Sequence, residues 1–311
     1  MQNLLDFLAM TLCFFSRRQA SGGVYSLQEA AKRGELEMFY QPKVNMKLGV
    51  TIGMEALMRW RHPVFGLLAP GMFHKAMKPN TVTTIDLGYW SIEQAIKQID
   101  CWQKDGLLIP VSVNVMASEL VDDNFCGWLD ALFMQYSKVS KSMLELEIVE
   151  SSLLSNPLRL VEVVTECRAA GIKVSLDDFG TGYSSLSHVK IVPSDYVKID
   201  QMFVKDIIHN YQDRGMVSMV IALARNYDRQ VIAEGVESIE HGLVLLELGC
   251  KLAQGYAIAR PMPANDVIAW VNGYKGQPEW IGVGDAVDES SCDHECRRCS
   301  QNPLEINCAI Q

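Results

Sequence analysis

Seven times along this chain a short, mostly apolar run ends in a side chain that offers oxygen or nitrogen. Gly53-Met54 leads into Glu55, Val111-Ser112-Val113 into Asn114, Leu144-Glu145-Leu146 into Glu147, and Val174-Ser175-Leu176 into Asp177-Asp178. Tyr196-Val197 leads into Lys198, Val231-Ile232-Ala233 into Glu234, and Lys251-Leu252-Ala253 into Gln254. The steps between these endings are 59, 33, 30, 21, 36 and 20 residues, most of which fit one strand plus one helix. Helical periodicity fills the intervals, at 86–104, 122–136, 157–170, 201–209, 213–227, 239–248 and 264–273. Ala170-Gly171 and Leu248-Gly249 each close a helix before a strand. Two strands near 38–44 and 49–60 lie close enough for an antiparallel hairpin. Eight strands that alternate with helices after an opening hairpin predict a closed barrel ringed by helices, its first strand antiparallel to its neighbour. A doubly wound open sheet would not bring seven strand ends to one point, and no Gly-rich dinucleotide fingerprint is visible.

The chain has 311 residues, 49% hydrophobic and 21% charged, an ordinary globular balance. Its net charge of −9 argues against a general nucleic-acid surface. A phosphate substrate is still compatible with that charge, because bound cations invert the sign of a local acidic cluster. Three regions are expected: an N-terminal helical segment and linker over 1–23, a barrel over 24–275, and a Cys-containing tail over 276–311. Leu4, Leu5, Leu8, Leu12 and Phe15 fall at helical spacing before Ser21-Gly22-Gly23. They read as a packing helix or, more sharply, as a membrane-surface anchor or the remnant of an upstream domain. Cys13, Cys101, Cys126, Cys167 and Cys250 are scattered and read as reduced thiols of a cytoplasmic protein. Cys292, Cys296, Cys299 and Cys308 could form a metal site with His294, but they lack a paired Cys-x-x-Cys framework. A flexible tail is the plainer reading.

In such a barrel the carboxyl ends of the strands carry the active site. Glu55, Asn114, Glu147, Asp177, Asp178 and Glu234 would meet there. Five carboxylates cannot all stay ionised without counter-charge. Two divalent cations would supply it, with Asp177 as the bridge, and a metal pair about 3.5–4 Å apart is the usual device for phosphodiester hydrolysis. Adjacent carboxylates favour Mg²⁺ or Mn²⁺ over zinc. Lys198 is the lone cation of the set and is expected to orient a water and offset transition-state charge. Taken singly, Glu55 or Glu147 would be a solvated rim residue, Lys198 a salt-bridge partner and Asn114 a turn residue. His62, His74, His188, His209 and His241 show no ligand spacing and read as surface or loop residues.

These residues resemble the EAL domains, phosphodiesterases of bacterial cyclic di-GMP. The resemblance rests on Glu55-Ala56-Leu57 within Met54–Trp60, preceded by Tyr40-Gln41-Pro42, and on Val113-Asn114 and Glu147-Ile148-Val149-Glu150. Asp177-Asp178-Phe179-Gly180-Thr181-Gly182, Lys198-Ile199-Asp200, Ala233-Glu234-Gly235-Val236-Glu237 and Gln254-Gly255-Tyr256 complete the set, over about 24–273. It implies an α/β, TIM-like (β/α)8 barrel with an antiparallel first strand, which hydrolyses cyclic di-GMP to linear pGpG with two Mg²⁺ or Mn²⁺ ions. Ca²⁺ is expected to inhibit, because it prefers longer and more irregular coordination than Mg²⁺. By the same resemblance, Glu55, Asn114, Glu147 and Asp177 bind one ion and Asp177 and Asp178 the other. Lys198, Glu234 and Gln254 hold or activate the attacking water. Gln41, Arg59 and Asp200 contact substrate, and Glu150 anchors the loop 179–186. A homodimer is implied, with an upstream sensory or membrane partner and no nucleic-acid polymer. Val149 departs from the family's usual Thr, and Lys78-Pro79-Asn80 from an acidic segment. Two rivals are a module that binds cyclic di-GMP without cleaving it and a barrel aldolase with Lys198 as a Schiff-base amine.

Overall fold

The computed structural model describes residues 27–73, 82–149, 156–180 and 186–283. After α1 (Leu27–Lys32), β1 (Leu36–Asn45) and β2 (Val50–His62) form the opening hairpin, and β3 (Gly66–Leu68) pairs with the far end of β2. Next come α2 (Pro70–Phe73), α3 (Val82–Lys104), β4 (Val111–Val115), α4 (Ala117–Leu120), α5 (Phe125–Gln135), β5 (Leu144–Val149) and α6 (Pro157–Ala169). The chain continues through β6 (Lys173–Phe179), α7 (Leu186–Ile191), β7 (Tyr196–Ile199), α8 (Gln201–Lys205), α9 (Tyr211–Asn226), β8 (Gln230–Ala233) and α10 (Ile239–Glu247). It ends in β9 (Leu252–Ala253), β10 (Met262–Pro263) and α11 (Ala264–Gly273).

The strands close into a barrel. β2, β4, β5, β6, β7, β8 and β9 pair in parallel, each with the next. β1 completes the ring between β2 and β9 and runs antiparallel to both. The expected hairpin is therefore present, and its first strand opposes the barrel on both sides.

Strand alternation divides the side chains into two sets. Val111, Val113, Val115, Leu144, Leu146, Ile148, Val174 and Leu176 belong to one apolar core with Ile92, Ile96, Leu129 and Val163 of the helical ring. Burial of each such side chain contributes roughly 1.5–3 kcal/mol. The alternate residues, Ser112, Glu145, Glu147, Ser175, Asp177 and Lys198, are buried as well, but they turn to the barrel axis and hydrogen-bond to one another. The helices thus secure the fold from outside and leave the axis available for polar chemistry.

Several expected boundaries move. Glu55 is not at a strand end: β2 runs on to His62, pairing with β4 near Glu55 and only with β1 and β3 farther along. The expected strand at 251–257 stops at Ala253, because Gly255 (φ 159°) packs on the backbone of Val236, where a Cβ would lie 2.2 Å from the Val236 carbonyl oxygen. The helix expected over 122–136 is α5, which begins only at Phe125, behind a separate short α4, and α8 ends at Lys205 rather than 209. α7 was not anticipated.

Two histidines expected at the surface are buried. The His62 ring accepts from the Val64 and Phe65 amides, and His241 accepts from the Glu237 amide while its Nε2 lies 3.1 Å from the Lys205 carbonyl. Ordered packing also continues past residue 275. Trp280 is fully buried against Gly242, donates to the Ile239 carbonyl at 2.9 Å, and is joined by a Gln277 contact to Ala257. Cys101, Cys126, Cys167 and Cys250 are free thiols. The N-terminal segment, Lys78-Pro79-Asn80, Glu150, most of the 179–186 loop and the cysteine cluster lie outside the described residues. No described helix is long and apolar enough to cross a membrane.

Candidate active site

The site forms where the interior-facing strand residues reach the barrel mouth. Its centre is the ammonium of Lys198 on β7, fully buried. Nζ lies 2.7 Å from Glu147 Oε2, 2.7 Å from Glu234 Oε1, 3.1 Å from Asp177 Oδ1 and 3.9 Å from Glu55 Oε2. Each of these four carboxylates stands on or just beyond a different strand. Asn114 on β4 donates to Glu55 Oε1 at 2.7 Å. Gln254, beyond β9, donates to Glu55 Oε2 at 2.6 Å and to Gln41 Oε1 at 2.9 Å, and Gln41 in turn donates to the Ala259 carbonyl.

Asp177 and Asp178 need a special backbone. Neighbours in a regular strand point to opposite faces, so two consecutive carboxylates could not serve one site. Here Leu176 pairs with Val197 and Phe179 with Ile199, which sets two residues of β6 opposite Lys198. That is a bulge. Asp178 adopts φ 56°, a left-handed conformation uncommon outside glycine, and its amide donates to Asp177 Oδ1 at 2.9 Å. Gly180 (φ 105°) then packs on Phe203, where a Cβ would lie 2.5 Å from the ring.

The electrostatics are those of an anionic cluster short of counter-charge. Burial raises Glu55 to about 7, with Lys198 pulling the other way. Burial and the neighbouring Asp177 raise Asp178 to about 6, and a hydrogen bond with Asp200 adds to the rise. Burial also raises Asp177 and Glu234 against the pull of Lys198. Glu147 goes the other way. Burial opposes its charge, but Lys198 and Lys43 together overcome it and hold the carboxyl at about 2.

Oxygens of Asp177, Asp178 and Glu234 all lie within 4.8 Å of one another. This all-oxygen set fits a hard divalent cation, and the surplus of carboxylates over ammonium groups asks for one. Gln254 Oε1 is buried with no hydrogen-bond partner, an acceptor suited to a bound water. A cleft of about 200 Å³ opens beside the cluster, lined by Gln41, Glu55, Leu57, Gln201, Glu234, Gly235, Glu237, Gln254, Gly255 and Tyr256. Arg260 stacks on Tyr256 at 4.2 Å from the ring centroid.

The structure therefore brings together Glu55, Asn114, Glu147, Asp177, Asp178, Lys198, Glu234, Gln254 and Gln41. Asp200 stands against Asp178 and caps α8 through the Met202 amide. Arg59 lies at the periphery, its guanidinium 5.6 Å from the Phe39 ring centroid and donating to the Met58 carbonyl. Lys198 is not the sole interior cation: Lys43 on β1 is buried beneath the cluster and binds Glu145 and Glu147. On the three consecutive strands β4, β5 and β6, a polar residue two positions before the site residue was the available signal for this layer: Ser112, Glu145 and Ser175.

MucR of Pseudomonas aeruginosa, a bifunctional diguanylate cyclase/cyclic di-GMP phosphodiesterase, is 33% identical over 266 residues, covering 83% of this chain and 38% of MucR. RocR of the same organism, a cyclic di-GMP phosphodiesterase, is 35% identical over 241 residues, covering 77% of this chain and 61% of RocR. The chain thus spans less than two thirds of the length of each of these relatives. A MucR phosphodiesterase structure in complex with c-di-GMP superposes with a TM-score of 0.72 at 34% identity, covering 78% of this chain and 97% of that one. An EAL domain protein from Listeria monocytogenes matches with a TM-score of 0.67 at 29% identity, over 78% and 95% of the two chains. The EAL domain model matches residues 25–261, and this chain belongs to the EAL domain family.

Proposed function

We propose that this chain hydrolyses cyclic di-GMP to linear pGpG with the help of two divalent cations, Mg²⁺ or Mn²⁺. The observation that carries this reading is the convergence of Glu55, Glu147, Asp177 and Glu234 on Lys198 at the mouth of a cleft, with Asp178 turned into the same site by a bulge. Glu55, Asn114, Glu147 and Asp177 would hold one ion, and Asp177 and Asp178 the other. Bound there, the ions would supply Lewis acidity toward the phosphate and make a water acidic near neutral pH.

The protein's own groups do the rest. Lys198 offsets charge that develops on the phosphate. Glu234, within reach of both Lys198 and the Asp pair, orients the attacking water and takes up its proton. Gln254 fixes the Glu55 carboxylate and offers its unpartnered oxygen to the same water. Gln41, Arg59 and Asp200 contact the dinucleotide. An aldolase role for Lys198 is disfavoured, because a nucleophilic amine needs a lowered pKa, and although burial alone would lower that of Lys198, the surrounding carboxylates raise it well above the ordinary lysine value.

The deciding experiment incubates purified protein with cyclic di-GMP and Mg²⁺ and resolves the nucleotides over time. Appearance of pGpG supports the reading. Tight binding with no product would make the chain a sensor. Ca²⁺ should inhibit, since it prefers longer and less regular coordination. The cytoplasm, a homodimeric assembly and an upstream sensory or membrane partner complete the proposal. Sedimentation showing a fully active monomer at high dilution would remove the dimer.

A further inference from the structure

We propose that Lys43 is a positioning residue of this site: it clamps Glu147 from inside the barrel, so that the carboxylate presents one chosen oxygen to the mouth. The inference rests on the metal-dependent reading above. Lys43 is 2% exposed and comes from β1, the strand that runs against the rest. Its ammonium lies 3.1 Å from Glu147 Oε1 and 2.8 Å from Glu145 Oε2. The other oxygen of Glu147 takes Lys198 at 2.7 Å. Each oxygen of this carboxylate therefore has its own lysine, one facing the mouth and one beneath it.

The layer beneath is built for that contact. Glu145 precedes Glu147 by two residues on β5, so both point to the axis. Glu145 is itself pinned by the Ser175 hydroxyl of β6. Gly53 lies opposite Lys43 in the β1–β2 register, and a Cβ there would sit 3.3 Å from Lys43 Cε. The bare glycine leaves a lane for the lysine stem. Lys43 and Glu145 cancel as charges, and a buried ion pair is weak evidence for stability, since apolar pairs of similar volume often do as well. Directional hydrogen bonds to a ligand carboxylate are what an apolar pair could not provide. Partners of this kind orient metal ligands, and their loss typically costs 10–100-fold in affinity or activity.

The test compares wild type, Lys43→Met, Lys43→Met/Glu145→Gln and Glu145→Gln. The double variant removes one charge of each sign, so it guards against misfolding of the single one. Mn²⁺ binding is measured without substrate, from loss of the free-ion electron paramagnetic resonance signal, alongside circular dichroism and the Mg²⁺ dependence of turnover. The clamp predicts Mn²⁺ affinity about 10–100-fold weaker in both Lys43 variants, with KM for cyclic di-GMP at saturating metal near wild type. Glu145→Gln, which keeps Lys43 on Glu147, should bind Mn²⁺ nearly as wild type does. Folded Lys43 variants with wild-type Mn²⁺ affinity would overturn the proposal, as would failure of both to fold, which would make the role structural. A wild type that binds Mn²⁺ without hydrolysing cyclic di-GMP would sink the hydrolytic reading and leave the clamp to be judged on binding.

Discussion

Gln254 and Glu55 are joined across the antiparallel strand that closes the barrel, Nε2 of one donating to Oε2 of the other at 2.6 Å. The same amide group reaches Gln41 on β1, which lies directly opposite Glu55 in register. The seam between first and last strands is thus held by site residues. Gln254→Ala should lower kcat by about 10–100-fold, as expected for loss of a ligand-orienting partner, with a far-UV spectrum like that of wild type. Turnover close to wild type would show that Glu55 needs no such support.

Removing Lys198 leaves four carboxylates facing one another. Lys198→Ala should therefore lose about 3–5 kcal/mol of stability without divalent ions, the usual cost of breaking a buried pair. Mg²⁺ should restore much of this by supplying the missing charge. Turnover should fall far more than substrate affinity, because the ammonium is assigned to the reacting centre rather than to binding. The checks are denaturant melts with EDTA or Mg²⁺, and a kcat against KM comparison. A variant whose binding collapses while turnover survives would make Lys198 a substrate contact.

Glu55→Ala or Asp177→Ala should abolish hydrolysis and leave the fold intact, since both side chains face the barrel axis and the apolar core lies on the other side of the strands. Substantial turnover by either folded variant would contradict the two-metal assignment.

Much of this site was legible in the sequence, for a specific physical reason. Parallel strands end on one face, so Asn114, Glu147, Asp177, Lys198, Glu234 and Gln254 could be gathered by asking where each apolar run stops. Glu55 was found by the same rule although β2 continues past it, because only the Glu55 end of β2 pairs with β4. Lys43 escaped the rule: β1 runs the other way, so its axial residues precede the hairpin turn rather than ending an apolar run. Glu145 and Ser175 sat inside runs that were read as apolar. The bulge at Asp178 is a property of strand register, which no local pattern of residues reveals. Trp280 follows Lys275-Gly276-Gln277-Pro278-Glu279, a stretch without periodicity, and its burial depends on the recess at Gly242.

Glu119 makes stability depend on pH away from the site. Its carboxyl is 3% exposed, in a recess that exists because residue 88 is glycine: a Cβ there would lie 2.2 Å from the Glu119 Cδ. Burial raises it to about 8, although the Met116 amide donates to it at 2.8 Å and pulls the other way. The folded pKa exceeds the unfolded one, so this contribution is fully present below the unfolded value near 4.5 and fades as pH rises through about 8. The slope is at most about 1.4 kcal/mol per pH unit. Glu119→Gln should flatten the fall in stability across that window, read from urea melts at several pH values. An unchanged slope would mean that other groups set it.

The chain beyond α11 packs back onto the barrel. Trp280 fills a recess on α10 where a Cβ on Gly242 would lie 2.3 Å from the indole, and Gly276 and Gly49 touch closely enough that a Cβ on Gly276 would lie 2.5 Å from Gly49 Cα. The segment is therefore part of the barrel's packing, and its loss should be felt as a core truncation. Trp280→Ala should cost about 3–5 kcal/mol, and Gly242→Ala should destabilise by driving the indole out. Removal of residues 285–311, which spares Trp280, should leave both the melting temperature and hydrolysis largely unchanged. Removal from residue 274 onward should lower the melting temperature. Thermal melts of the two truncations, run beside a turnover assay, separate these outcomes. If the shorter deletion abolishes hydrolysis and the full-length protein carries stoichiometric zinc or iron, the cysteine cluster holds a metal and the tail belongs to the working enzyme.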